Sequence, residues 1–301
     1  MKGKQIGKAI GWGILAAVLL CVLVAVLSGK FSSFSISSAY QYSNWEDYTA
    51  GGGSVAAGDV RAVEINWIDG NVTVKKGAGP EIVFYESQVP AEQQMYYLVR
   101  DGKLTIQPRQ SESVFHFGIH APQKDLTVEI PEECVLQEVS IDTPNADADI
   151  SDLRAVTVNL ETISGNFVLR RMQCDSMNLE STSGSIQANS MTVNSMEIDS
   201  VSGDCMLEGA FRTIGSETVS GQLDISSSTS LENLEVDSVS GDMILTVPKE
   251  NGFTLTMDSV SGEFECAFPT QAKGDRWIYG DGSGTFALDS VSGSVTILSQ
   301  E

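Results

Sequence analysis

Basic residues are scarce in this chain. Its 301 residues hold 18 Lys and Arg against 40 Asp and Glu, a net charge of -22. That deficit excludes nucleic acid and anionic membrane surfaces as electrostatic partners and favours cations or cationic partners. Histidine is nearly absent. The two present, His116 and His120 in SVFHFGIH, stand four apart, which on a flat strand separates them by about 13 Å. That is too far to share a metal ion, so packed or surface imidazoles are expected. Of five cysteines, Cys21 lies in an apolar run and Cys134, Cys174, Cys205 and Cys266 lie outside it, which is no dense disulfide framework. No small-residue lipidation signal precedes Cys21, and no sorting motif follows Leu298. Hydrophobic residues are not scarce. At 42% they suffice for a large core and exclude disorder as the default.

The apolar run extends from Ile10 to Leu27, behind Lys2, Lys4 and Lys8. It approaches the span of a bilayer core, and the positive-inside tendency keeps the N-terminus cytoplasmic with residues after Lys30 outside. Residues 1–30 therefore read as a cytoplasmic tip and a single-pass transmembrane anchor, with the membrane as partner of residues 10–27. A cleavable signal peptide is the rival reading, because SISSA before Tyr40 offers small residues to a peptidase. The run exceeds the usual length of a signal's apolar region, which favours a retained anchor. Residues 31–58, rich in Ser, Gly and Tyr with GGGSVAAG at 51–58, read as a stalk.

From residue 59 the pattern is β. EINWIDGNVTV alternates around Gly70, EIVFYES at 81–87 reads as a strand, and LVRDGKLTI at 98–106 reads as a hairpin on an Asp-Gly turn. This part, 59–138, is irregular. Residues 139–298 repeat one phrase: DSVSGD at 199–204 and 237–242, DSVSGE at 258 and DSVSGS at 289. Aligned on the residue after the triplet, Ala146, Gly165, Gly184, Gly203, Gly221, Gly241, Gly262 and Gly293 follow one another at spacings of 18 to 21, with a last one of 31. A phrase used this often specifies a shape that is built repeatedly.

Apolar columns flank that position. Ala148, Phe167, Ile186, Cys205, Leu223, Met243, Phe264 and Val295 stand two residues after it, and Ile150, Leu169, Ala188, Leu207, Ile225, Leu245, Cys266 and Ile297 four after. Ile141, Leu160, Leu179, Ile198, Val236, Met257 and Leu288 stand five before it; Val139, Val158, Met177, Met196, Ile214, Leu234, Leu255 and Phe286 stand seven before. Period 2 on both sides of a glycine means two short inward-facing strands per coil. The predicted fold is all-β, a right-handed parallel β-solenoid of about 19–21 residues per coil. Glycine is expected where φ is positive or two backbones pass closely. Cys205 and Cys266 occupy different core columns and read as buried small hydrophobes.

Four residues before each turn position stands an acid: Asp142, Glu161, Glu180, Asp199, Glu217, Asp237, Asp258 and Asp289. Coils stacked about 4.8 Å apart set these charges against one another. Either they splay into solvent and accept hydrogen bonds from the following Thr or Ser and the turn backbone, or they form a ladder of divalent-cation sites with Asp147, Asp204, Asp242 and Glu263. The second lacks the nonapeptide signature of calcium-binding solenoids. Ser202, Ser220, Ser240, Ser261 and Ser292 recur equally without a distinctive base, so a turn role is expected of them. Acids on a solenoid can also act as a glycosidase pair, but no coil stands out here with an extra basic or acidic partner. No catalytic, cofactor or metal residue is assigned, and an enzyme is not expected. The spacing of 31 leaves an insertion at about 267–285 that gathers Phe268, Trp277, Tyr279, Lys273 and Arg276. It reads either as a cap over the end of the solenoid or as an exposed binding patch.

Three stretches, LTVEIPEECVLQEVSIDTPNADADI at 126–150, the DSVSGD repeats and YGDGSGTFALDSVSGSVTI at 279–297, resemble the toast-rack, adhesin-like family of bacterial β-strand-repeat proteins. This is a domain of unknown function that includes LiaG-like envelope proteins. The resemblance covers roughly residues 60–298. It implies a membrane-attached envelope protein of a Gram-positive bacterium, with the domain acting outside the cell as a non-enzymatic interaction or structural module toward an envelope protein or glycan. The alternative it implies is an accessory or sensor in envelope-stress signalling that works through the membrane segment.

Overall fold

The computed structural model describes residues 45–87, 89–90, 93–108, 124–274 and 276–300. The expected anchor at 10–27, the first part of the expected stalk, and His116 and His120 lie outside the described residues. Among those described, no helix is long and apolar enough to cross a membrane.

Each coil contributes one strand before its turn and one after it, and both pair in parallel with the neighbouring coils. In spatial order the pre-turn strands are 103–107, 62–66, 136–143, 154–162, 173–181, 192–200, 213–218, 233–238, 284–290 and 253–259. The post-turn strands run 124–131, 70–77, 147–151, 167–170, 186–189, 205–209, 223–227, 243–247, 295–299 and 264–266. Two strands, Ile186–Ser200 and Cys205–Thr218, continue from one sheet around the far corner into the other. At this far corner in three successive coils, Asp152, Arg171 and Ser190 take left-handed φ values of 58, 52 and 58°.

The predicted columns fill the space between the sheets. Phe167, Leu169, Leu179, Met177, Ile186, Ile225, Leu234, Leu245 and Phe286 are all fully or almost fully buried. Cys205 is buried as expected. Cys266 is only half-buried, as are Phe264 and Met257, because they belong to the outermost coil. Cys134, Cys174, Cys205 and Cys266 are all free thiols, and burial pushes Cys174 up to about 12 and Cys205 to about 11.

The order of coils departs from the order of the sequence at both ends. Strand 284–290 lies between 233–238 and 253–259, so the coil written last is second from the end. At the other end, coil 62–77 lies between 103–131 and 136–151. The insertion therefore does not cap the last-written coil. It folds into a hairpin, Gln271–Lys273 and Arg276–Tyr279, laid antiparallel on residues 253–256 of the outer coil. Phe268 is buried there, edge-on to Phe253 at 5.4 Å and 4.6 Å from Tyr279. Trp277 and Tyr279 are half-buried against the core, whereas Lys273 and Arg276 face solvent. This is the geometry of a cap.

Antiparallel strands also close the opposite end. Tyr96–Arg100 and Lys103–Gln107 form the expected hairpin, with Asp101 and Gly102 at φ 54 and 79°, as a two-residue hairpin turn with both central φ positive requires. Glu81–Glu86 lies on 126–129, and Gly53–Ala56 lies on it in turn. The last residues of the expected stalk thus join the sheet.

Candidate functional site

The structure assigns a job to each letter of the repeated phrase. In DSVSG at 199–203, Asp199 points outward and Ser200 inward. Ser200 Oγ accepts the Gly203 N–H at 3.2 Å. Thr162, Ser238 and Ser290 do the same for Gly165, Gly241 and Gly293, at 2.8, 3.0 and 3.1 Å. Val201 forms the tip. The Ser202 hydroxyl donates to the Thr182 carbonyl of the coil beside it at 3.1 Å, and Ser220, Ser240, Ser261 and Ser292 make the equivalent bond. The turn role expected of those serines is what they perform.

Glycine is needed mainly for close approach. A Cβ at Gly165, Gly184, Gly203, Gly241 or Gly293 would come within 2.8 to 3.4 Å of a carbonyl carbon in the adjacent turn, and nearer still to its oxygen. In this column positive φ is confined to Gly221 and Gly262.

The acids align as predicted. Glu161 is paired in register with Asp142 and Glu180, Asp199 with Glu180 and Glu217, Asp237 with Glu217 and Asp289, and Asp289 with Asp258. Turn hydrogen bonding does not relieve them; in the coils of Glu161, Asp199, Asp237 and Asp289 the buried hydroxyl has taken that role. The exception is Asp289, which accepts a backbone N–H from Asp258. It is the post-turn acids that are engaged. Asp147 accepts the Asn166 N–H at 2.7 Å, Asp204 the Gln222 N–H at 2.9 Å and Asp242 the Ser294 N–H at 2.8 Å.

Basic residues are nearly absent from this sheet face. Arg154, exposed at the far end of 154–162, is the exception; none occurs in 136–143, 173–181, 192–200, 213–218, 233–238, 253–259 or 284–290. Among the described residues, ion pairs lie on the other sheet, as Lys75–Glu129 at 3.3 Å, or at corners, as Arg171–Asp152 at 2.7 Å; Lys103–Glu64 marks the edge of the acidic face. The consequence is visible in the carboxyls. Burial, then the neighbouring acids, push Glu161 up to about 7 and Asp199 to about 6. Burial and Glu64 raise Asp142 to about 6, and one of its oxygens is buried without a hydrogen-bond partner. Glu197, Asp237 and Asp289 are raised for the same reasons, burial first.

Midway along the face Gly215 leaves a gap. Glu197 leans over it, and Glu197, Glu217, Glu235 and Asp237 surround an open cleft of about 360 Å³. Among the described residues no group of three or more His, Cys, Asp or Glu is placed to hold a metal ion. The face offers a broad negative field rather than a coordination cage.

Two features escaped the sequence reading. One is the buried hydroxyl column, Thr143, Thr162, Ser181, Ser200, Thr218, Ser238, Ser290 and the half-buried Ser259. Its signal was parity, since it stands an even number of residues from the two apolar columns that precede the turn. The other is the second row of acids, Glu197 and Glu235, which recurs in too few coils to form a column.

A family model described as Toastrack DUF4097 matches residues 60–298. No curated protein matches the chain. Among solved structures, a candidate lipid-binding protein from Parabacteroides distasonis is similar at 12% identity, covering 83% of this chain and 96% of that one, with a TM-score of 0.49. A candidate adhesin from Bacteroides fragilis is 13% identical over 82% of this chain and 96% of its own, with a TM-score of 0.46. Another, from Parabacteroides merdae, is 13% identical over 83% and 95%, with a TM-score of 0.44.

Proposed function

The chain belongs to the Toastrack DUF4097 family, and on that premise we propose that it is a non-enzymatic interaction module of the cell envelope whose acidic sheet face receives a cationic partner. The observation that carries this reading is the unbroken acid column, whose strands from 136–143 onward hold a single basic residue, Arg154, seven positions from Glu161 at the far end of its strand. Carboxylates held side by side at the expense of their own ionisation gain most from an opposing charge, which a docked cationic polymer or basic protein surface supplies. In this reading the coils are right-handed, as parallel crossovers are in nearly all sheets. The segment at 10–27 anchors the chain with its N-terminus inside, so that the solenoid is displayed outside.

The test uses the immobilised full-length chain with poly-lysine and neutral dextran as probes. Poly-lysine should bind, weaken steeply with salt, and lose most of its affinity when Glu197→Gln, Glu235→Gln and Asp237→Asn are combined; dextran should not bind. Poly-lysine binding that ignores the triple substitution would remove the acidic face from the proposal.

A further inference from the structure

Three of the four sheet ends carry an antiparallel strand. Residues 96–100 cover 103–107, residues 81–86 cover 124–131, and residues 276–279 cover 253–256. The fourth end is the strand Phe264–Cys266, which among the described residues pairs only with Val295–Ser299. On that inner side the Glu263 carbonyl accepts the Val295 N–H and the Ala267 N–H donates to the Ile297 carbonyl, both at 2.9 Å. In a parallel ladder this alternation turns the N–H and C=O of Phe264 and Cys266 toward the other, bare edge.

The side chains there match an unfinished sheet. Phe264 and Cys266 stand in columns where the preceding coils have Val295 at 4%, Met243 at 3%, and Ile297 and Leu245 at 0% exposure, yet both are half-exposed. The Trp277 ring, 5.7 Å from that of Phe264, walls the site on the hairpin side. Glu263 and Glu265 point outward and exposed, and among the described residues neither has a salt bridge.

We propose that the Phe264–Cys266 edge is a docking site for an extended peptide strand of a partner protein with alternating basic and apolar residues. Its backbone completes the ladder. Its apolar side chains cover Phe264 and Cys266 beside Trp277, and its basic ones face Glu263 and Glu265. This is strand addition, in which main-chain bonds give affinity and alternate side chains give specificity. A second copy is the wrong occupant, since a net charge of -22 and the same two glutamates on each copy would oppose pairing. The site shares no residue with the acidic sheet face and stands or falls apart from it.

The probe is a seven-residue peptide of alternating Lys and Val with blocked ends, added to the full-length chain. The control is the same peptide with alternate backbone nitrogens methylated, which keeps its charge and side chains but blocks strand pairing. Amide hydrogen exchange at residues 264–267 should slow about tenfold or more with the first peptide and stay unchanged with the second. Glu265→Lys should weaken binding about tenfold. Cys266→Pro, which removes only an outward N–H, should abolish protection at an unchanged melting temperature. The triple substitution on the acidic face should leave it intact. If Cys266→Pro fails to fold, Glu265→Lys and the methylated peptide decide. No slowing, equal slowing by both peptides, slowing confined to residues 195–237, or concentration-dependent slowing without peptide would each overturn the assignment.

Discussion

Gly203 stands directly on Gly184, so close that a Cβ on Gly203 would come within 2.9 Å of the Gly184 carbonyl carbon and nearer still to its oxygen. Its φ is not positive, so the demand for glycine here comes from the neighbouring coil. Gly203→Ala should force two coils apart and cost about 2–4 kcal/mol. Ser202→Ala loses one exposed hydrogen bond, about 1 kcal/mol or less. Urea denaturation midpoints compare the two directly, and equal shifts would refute the close-approach account.

The acid column should make this protein more stable in mild acid than at neutral pH. Glu161 is raised from 4.5 to about 7, and Asp142 and Asp199 from 3.8 to about 6. Between those limits the native state holds more protons than the unfolded chain, so unfolding free energy rises as pH falls through the window. At lower pH the trend reverses, as Asp152, held below its ordinary value by Arg171, is protonated and loses its pair. A melting temperature a few degrees higher at pH 5 than at pH 8, and a smaller difference in Glu161→Gln, is the expected result. Added salt at pH 8 should recover part of it by screening.

Thr162 Oγ accepts the Gly165 N–H at 2.8 Å and donates to the Thr143 carbonyl at 2.8 Å, both inside the protein. Thr162→Val keeps the shape but leaves the glycine N–H buried and unpaired, a loss of about 1–3 kcal/mol. Ser164→Ala, on the outer ladder, should lose less than half of that. Calorimetry on both variants is sufficient, and a neutral Thr162→Val would mean that the inner hydroxyls only fill space.

The core columns and the acid register were legible because side-chain direction in a strand has period 2 and the glycine fixes its phase. Parity also held the hydroxyl column, which went unread because Ser and Thr suggested the surface. The exchange of coil order was not legible at all. Met257 and Leu288, Asp258 and Asp289, and Gly262 and Gly293 are chemically interchangeable, so either order satisfies every column. At the other end, coil 103–131 has no glycine turn phrase to announce it. The acidic site could be read as a line of charge; that its acids lack turn hydrogen bonds followed only from seeing which hydroxyls the glycine N–H groups had taken.

Breaking the cap hairpin should expose a strand edge. Ile278 lies between Thr254 on one side and Gln271 on the other, so Ile278→Pro removes a ladder bond whichever way its N–H points. Strand 253–259 then presents unpaired backbone, and edge-to-edge association follows. Light scattering should report dimers and larger species for Ile278→Pro at concentrations where the unaltered chain is monodisperse. An unchanged, monomeric variant would show that the hairpin is dispensable.

The exchanged order of coils decides how such a rack can change length in evolution. Because strand 295–299 is already clamped between two others and a hairpin covers the pre-turn strand of each outer coil, a coil copied directly after it would meet only the short Phe264–Cys266 edge and no full coil to stack on. A duplication within 154–247 meets no such obstacle, since each coil there follows its neighbour in sequence and in space. Growth is interstitial: the bookends stay, and the shelf lengthens between them.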